Sequence, residues 1–317
     1  MSISAYLKEI GRGATGARAL AREQAADLFG QVLDGSCTEL EIGAFCIAMR
    51  IKGETPEEMA GFLDAVHARA QRPVATAQHP VVVLPSYNGA RKLPVLTPLL
   101  ALLLARKGLP VLVHGTATED ARIATRDVLA AIGLHEQPAV APLAAGAVHF
   151  VGTESLLPGL ARLLHARRTI GLRNPAHSLV KLWNPVQGPA LVVGSYTHPE
   201  YASAMAATFQ LTATPALLLR GTEGEPVADP RRTPRMDVFL NGSAQCVQAA
   251  QQGPLATLPT LPLQIDAATT AKYTLAVLRG LIPAPTSLLT QIEHIVRACK
   301  AIAARDDPSN LARLGDE

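Results

Sequence analysis

The apolar residues of this chain change their spacing once, near residue 80, and that change narrows the folds open to it. Before that point every periodic segment is helical. Residues 19–33 are rich in Ala and Leu at helical spacing, with Gly35 as a stop, and 40–51 continue the pattern. In Lys52-Gly53-Glu54-Thr55-Pro56-Glu57-Glu58, Thr55 is suited to the N-cap, Pro56 to the first helical position and Glu58 to a capping box. The helix that begins there runs to about residue 70.

After the change, short β-branched runs alternate with helical segments. A strand over 80–84 is followed by the loop 85–92, a helix from Thr97-Pro98 to Gly108, and a strand over 109–114. Parallel strands joined by a helical crossover explain this order. Helix 119–132, strand 147–151, helix 154–166, strand 190–195, helix 199–210 and strand 215–219 carry it on. Beyond Gly221 the chain reads as irregular and rich in Pro and Arg, before a last helix over 287–303 and a frayed end. The expected fold class is α/β: an N-terminal helical bundle over 1–72 and a larger domain over 73–317 with a mostly parallel central sheet. A chain of 317 residues, 48% hydrophobic and 17% charged, has the material for such a core.

Charge is distributed unevenly. No Asp or Glu occurs between Asp64 and Glu119, or between Glu154 and Glu200, and those windows hold most of the cations discussed below. The net charge is only +3, so the positive charge is local, and an anionic partner responds to the local field. Buried apolar elements, where acids are scarce in any protein, explain the same windows equally well. Cys37, Cys46, Cys246 and Cys299 are scattered without a C-x-x-C pair, which suits reduced thiols better than a disulfide frame or a zinc site. The first residues lack the pattern of a secretory signal, and the apolar run 93–105 is too short to span a bilayer. A cytoplasmic protein, with nucleoid association open to it, is expected. No membrane role, metal or cofactor is expected.

Several segments together resemble the anthranilate phosphoribosyltransferase superfamily, glycosyltransferase family 3. Arg50-Ile51-Lys52-Gly53-Glu54-Thr55 is similar to its R-x-K-G-E-T turn, His114-Gly115 to its K-H-G, Arg167-Arg168-Thr169-Ile170-Gly171 to its R-R-x-L-G, and Asn184-Pro185 to its N-P. The resemblance covers most of the chain. It implies a nucleoside phosphorylase/phosphoribosyltransferase type of fold, in which 162–185 join the N-terminal helices beside an interdomain cleft, and a homodimer through the helical domain.

Against that family the substrate site is altered. Its G-T-G-G-D diphosphate loop falls on Pro85-Ser86-Tyr87-Asn88-Gly89, where proline removes an N–H and Tyr87 adds bulk. Its N-x-S-T becomes Val95-Leu96-Thr97-Pro98, and Asp120-Ala121 stand where it has serines. Its adjacent D-E metal pair falls near Gly224-Glu225-Pro226-Val227. Lys181 stands where it has proline, and Arg91-Lys92 follow the loop. The pattern resembles the YbiB-type paralogues, which implies sequence-independent nucleic-acid binding and no catalytic residues. A transferase with altered substrates is the alternative.

The candidate DNA- or RNA-binding residues are Arg91, Lys92, Arg162, Arg167, Arg168, Arg173, His177, Lys181, Arg231 and Arg232. Cations spaced along a surface meet successive phosphates. Each has a plain structural alternative: a solvated helix face for 162–173, a charged turn for Arg91-Lys92 and for Arg231, Arg232 and Arg235. Tyr87 reads as packing more than as a base-stacking platform, Trp183 as core, and His114 as structural.

Overall fold

Thr38 and Thr55 begin their helices by one device. Thr38 Oγ1 accepts from the Glu41 N–H at 3.3 Å while the Glu41 carboxylate accepts from the Thr38 N–H at 2.9 Å. Thr55 and Glu58 repeat the exchange at 3.2 and 3.0 Å. The computed structural model describes residues 2–305 apart from 14, 76–78, 140 and 256–257. Its first four helices are α1 (Ser4–Ile10), α2 (Arg22–Leu33), α3 (Glu39–Lys52) and α4 (Pro56–His67). Phe29 stacks on Phe62 at 4.5 Å and Phe45 packs against both, which gives the bundle its own aromatic centre.

The remainder alternates as expected: β1 (Val81–Pro85), α5 (Thr97–Arg106), β2 (Val111–Gly115), α6 (Thr125–Ile132), β3 (Val148–Gly152), α7 (Thr153–Leu156), α8 (Pro158–Ile170), α9 (Ala176–Leu179), β4 (Ala190–Tyr196), α10 (Pro199–Leu211) and β5 (Ala216–Arg220). Then come β6 (Met236–Leu240), β7 (Ser243–Gln248), α11 (Ala267–Leu278) and α12 (Thr286–Ala303). The sheet order is β3-β2-β1-β4-β5-β6-β7, with β1 to β5 parallel and the last two strands antiparallel. Apolar side chains cover both faces, in one cluster shared with the N-terminal helices and another built on α5 and α12. Helix α8 joins the bundle closely. A Cβ on Gly159 would lie 2.1 Å from Leu33 O, so only glycine permits that approach.

Three local expectations change. Residues 119–124 form a turn before α6, with Thr118 bonded to Tyr87 O and the Glu119 carboxylate to Arg167 of α8. The helix expected over 154–166 is divided at Leu157, whose extended backbone leads into Pro158 at the start of α8. The segment after Gly221 holds a hairpin and a helix. The frayed end falls on 306–317, outside the described residues.

Candidate functional site

Strand β1 leads to β2 on one side, whereas β4 lies on the other, so the strand order reverses between β1 and β4. The crevice at the carboxyl ends of such a pair is where open α/β sheets place ligands. A cleft of about 620 Å³ lies there. The turn between α3 and α4 (Arg50, Gly53, Glu54) forms one wall, and the loop after β1 with the end of β4 forms the other.

The loop after β1 is filled from within the chain. The Glu225 carboxylate, 1% exposed, accepts from the N–H groups of Asn88 (2.9 Å) and Gly89 (2.8 Å), and from the hydroxyls of Ser86, Thr97 (3.0 Å) and Thr125 (3.2 Å). Glu223 accepts from the N–H groups of Arg91 (3.2 Å), Lys92 (2.8 Å) and Leu93 (3.0 Å). The segment carrying both acids is pinned in turn. Ser195 Oγ donates to Gly224 O at 2.8 Å, and Gln291 bonds Ala228 N and Pro226 O at 2.8 and 3.0 Å. Glu223 holds φ at +51°, a left-handed conformation that this tertiary frame imposes. As folded, the loop does not fit a diphosphate, because carboxylate oxygens already take the donors a diphosphate would need.

This revises the sequence-based account of the loop. Its phosphate-type donors persist at Asn88, Gly89 and Thr97, but they are satisfied internally. Pro85 belongs to β1, in register with His114. Tyr87 turns into the core, where its hydroxyl is hydrogen-bonded to His114 Nδ1 at 2.8 Å and accepts from Thr153 Oγ1 at 3.0 Å. Burial pushes the Tyr87 phenol up and the His114 imidazole down, to about 3 for the histidine. Trp183 is fully buried, edge-on to His114. Glu225, rather than Tyr87, meets the N–H groups of the loop.

The expected cations divide into two sets. Arg91, Lys92, Arg173, His177 and Lys181 line the cleft; Arg162, Arg167, Arg168, Arg231 and Arg232 do not. Arg91 and Lys92 have exposed side chains with no acidic partner among the described residues. Lys181 is buried, with Nζ 3.1 Å from Gly224 O; burial and the nearby Arg173 bring its ammonium down to about 8. His177 is buried beside Asn174, and burial holds it near 3, so it is neutral at physiological pH and contributes no positive charge. Arg162 donates to Val32 O at 2.9 Å and ties α8 to α2. Arg231 pairs with Asp229 at 2.8 Å, and Arg232 donates to Gln251 O at 3.1 Å. Arg167 and Arg173 both reach Glu119, at 2.9 and 3.2 Å, and Arg168 pairs with Asp120 at 2.8 Å.

Sequence reasoning did not select Arg50 or Arg122, which also line the cleft. Nor did it foresee that acids would answer the cations. Glu119, the residue that ends the first acid-free window, folds onto arginines of the second.

Residues 4–70 match the family described as glycosyl transferase family, helical bundle domain. The chain is 38% identical to the uncharacterized protein YbiB of Escherichia coli K12, over 99% of each chain. It is 30% identical to an anthranilate phosphoribosyltransferase of Methylocella silvestris, over 68% of this chain and 62% of that one. Among solved structures, anthranilate phosphoribosyltransferase from Thermus thermophilus matches with a TM-score of 0.69 at 20% identity, over 95% of this chain and 89% of that one. At that identity the last comparison concerns the fold.

Proposed function

The chain belongs to the YbiB-type branch of the anthranilate phosphoribosyltransferase-like proteins, and on that premise we propose that it binds nucleic acid without sequence preference and without catalysis. The observation that carries this reading is the filling of the diphosphate loop by Glu223 and Glu225. Phosphoribosyl transfer, in which the ribose carbon passes to an acceptor and diphosphate leaves, needs donors and a cation free to meet that diphosphate. Here the donors are taken, while Arg91 and Lys92 stand on the same loop with their side chains exposed at the cleft. Arg50 adds an exposed cation on the opposite wall. A phosphate backbone responds to such spaced charges whatever its base sequence.

The protein is further proposed to be a homodimer through the helical domain. On α3, Leu40, Ile47 and Ile51 are 84%, 37% and 59% exposed, and their spacing places them with Ala44 on one stripe. Two clefts in one particle would raise the apparent affinity for a polymer through effective concentration. A cytoplasmic, nucleoid-associated location suits this role.

The test is fluorescence anisotropy of labelled single-stranded DNA, RNA and duplex DNA across a salt series. A log–log slope of several units is expected, since each neutralised phosphate contributes about 0.7 in single strands and about 0.9 in duplex. Arg91→Glu/Lys92→Glu is expected to weaken binding and flatten that slope. Salt-insensitive affinity, or a double variant that binds like the parent, would overturn the proposal. The retained donors of the loop favour one rival, a transferase in which Glu223 and Glu225 leave the loop. Micromolar calorimetric binding of phosphoribosyl pyrophosphate with Mg²⁺ would support that rival.

A further inference from the structure

Three guanidinium groups converge on one carboxylate behind the cleft wall. Arg122 Nε, Arg167 Nη1 and Arg173 Nη2 lie 2.9, 2.9 and 3.2 Å from Glu119. They come from three places: the turn before α6, the last turn of α8 and the segment before α9. Arg122 has one further acid, Glu223, at 3.5 Å, and Arg168 faces Asp120 on the same turn as Glu119. Four guanidiniums are therefore answered by two acids of the turn and a share of a third.

A single carboxylate has about four lone-pair sites, and three arginines can offer many more N–H donors. A phosphodiester would use the same two-oxygen geometry, and planar guanidinium forks match it well. Glu119 lies on a turn outside any helix or strand, tied by a 3.3 Å bond from Arg122 N to its carbonyl. Thr118 and Ile123 anchor that turn to Tyr87 and Ala90, so displacement would move the Glu119 side chain and not the turn. Arg122 and Arg173 already line the cleft, so a phosphate in place of the carboxylate would continue a chain lying across Arg91 and Lys92.

Resting on the nucleic-acid reading above, we propose that Arg122, Arg167 and Arg173 form a phosphodiester subsite whose resident occupant is the Glu119 carboxylate, displaced when the ligand docks. Glu119 then competes with the ligand. Asp120, 83% exposed, pairs with Arg168 outside the cleft lining and would mask it in the same way.

The experiment compares wild type, Glu119→Gln and Asp120→Asn with two probes, a labelled single-stranded oligothymidylate and inorganic tripolyphosphate. Glu119→Gln is expected to tighten oligonucleotide binding about tenfold, the size of one charge-assisted hydrogen bond. The salt slope should stay within about 0.7 of the wild-type value, since the phosphate meets the same arginines in both complexes. Adding Arg167→Gln to Glu119→Gln should cancel the gain. If neither protein binds the oligonucleotide but Glu119→Gln gains tripolyphosphate, the subsite stands and the nucleic-acid reading falls. If wild type binds DNA with the expected salt dependence and Glu119→Gln is no tighter for either probe, the subsite is refuted and the broader reading survives. Should Glu119→Gln fail to fold, Asp120→Asn decides: a two- to fivefold gain, about the worth of one exposed ion pair, supports the masking, and no gain overturns it.

Discussion

Replacing Glu225 by alanine would test whether an internal anion has taken the place of a diphosphate. The carboxylate is 1% exposed and receives five donors, from Ser86, Asn88, Gly89, Thr97 and Thr125. Each buried donor left without a partner costs about 1–3 kcal/mol. Simple addition would equal the ~5–15 kcal/mol that stabilises a whole domain. Water entering the vacated space restores several of those bonds, so a net loss of about 3–5 kcal/mol is expected, as when one partner of a buried charged pair is removed. For 317 residues at about 2.1 cal/mol/K each, a loss of that size lowers Tm by roughly 4–8 °C, about 1.5 °C per kcal/mol. The diagnostic step is rescue. Inorganic phosphate should occupy the emptied loop and, at about a hundred times its Kd, return about 2.7 kcal/mol. Thermal melts in phosphate and in chloride at matched ionic strength read this directly, and wild type supplies the control for the general stabilising effect of phosphate. A Glu225→Ala protein as stable as its parent would refute the reasoning. So would a phosphate effect of equal size in both proteins.

Lys181 carries its charge at a cost: its ammonium is brought down from 10.5 to about 8, so at pH 7 the fold holds a cation it disfavours. Lys181→Met is expected to raise Tm while weakening oligonucleotide binding, and a variant less stable than wild type would count against that account. Stability should fall as pH drops below about 6.5, because His114 and His177, both held near 3 by burial, take up protons only in the unfolded chain. The slope is up to about 1.4 kcal/mol per pH unit for each histidine, and urea titrations of wild type and His177→Gln at several pH values should show the variant with the shallower dependence. Ile47→Asp, on the exposed stripe of α3, should give a folded monomer by sedimentation where wild type is a dimer.

The elements legible in the sequence are those whose signals are local. The capping box at Thr55 needs only residues three apart. The parallel strands announce themselves as β-branched runs at one scale. The hairpin of β6 and β7 was also legible, since Asn241-Gly242 sits between two short runs, and both residues adopt the positive φ a tight hairpin turn demands. A window rich in proline and arginine obscured it. Asp266, which caps α11 by accepting from the Thr269 N–H at 2.7 Å, was obscured in the same way. The site was legible in part. Arg91, Lys92 and Arg173 could be placed near the old substrate loop from spacing and resemblance. Their acidic partners could not, because Arg167 meets Glu119 from 48 residues away and Ser86 meets Glu225 from 139. Sequence windows record which charges are near in the chain. The fold decides which are neutralised.

That distinction bears on how an enzyme scaffold could become a binding surface. A diphosphate loop that lost its ligand would leave a row of unpaired N–H groups in a half-buried site, and the loop would be free to collapse or wander. Glu223 and Glu225 remove that cost by supplying the anion permanently. The N–H groups of residues 91, 92 and 93 converge on Glu223. Backbone donors aimed inward at one carboxylate leave the Arg91 and Lys92 side chains to project into solvent. An anion inside the chain thus holds in place the cations that would meet an anion outside it. Ordering the loop before binding also lowers the entropy lost when a ligand arrives. On the proposed reading, the acids that fill the loop would be part of the binding surface, and removing them should disorder Arg91 and Lys92 even as it adds positive charge to the cleft.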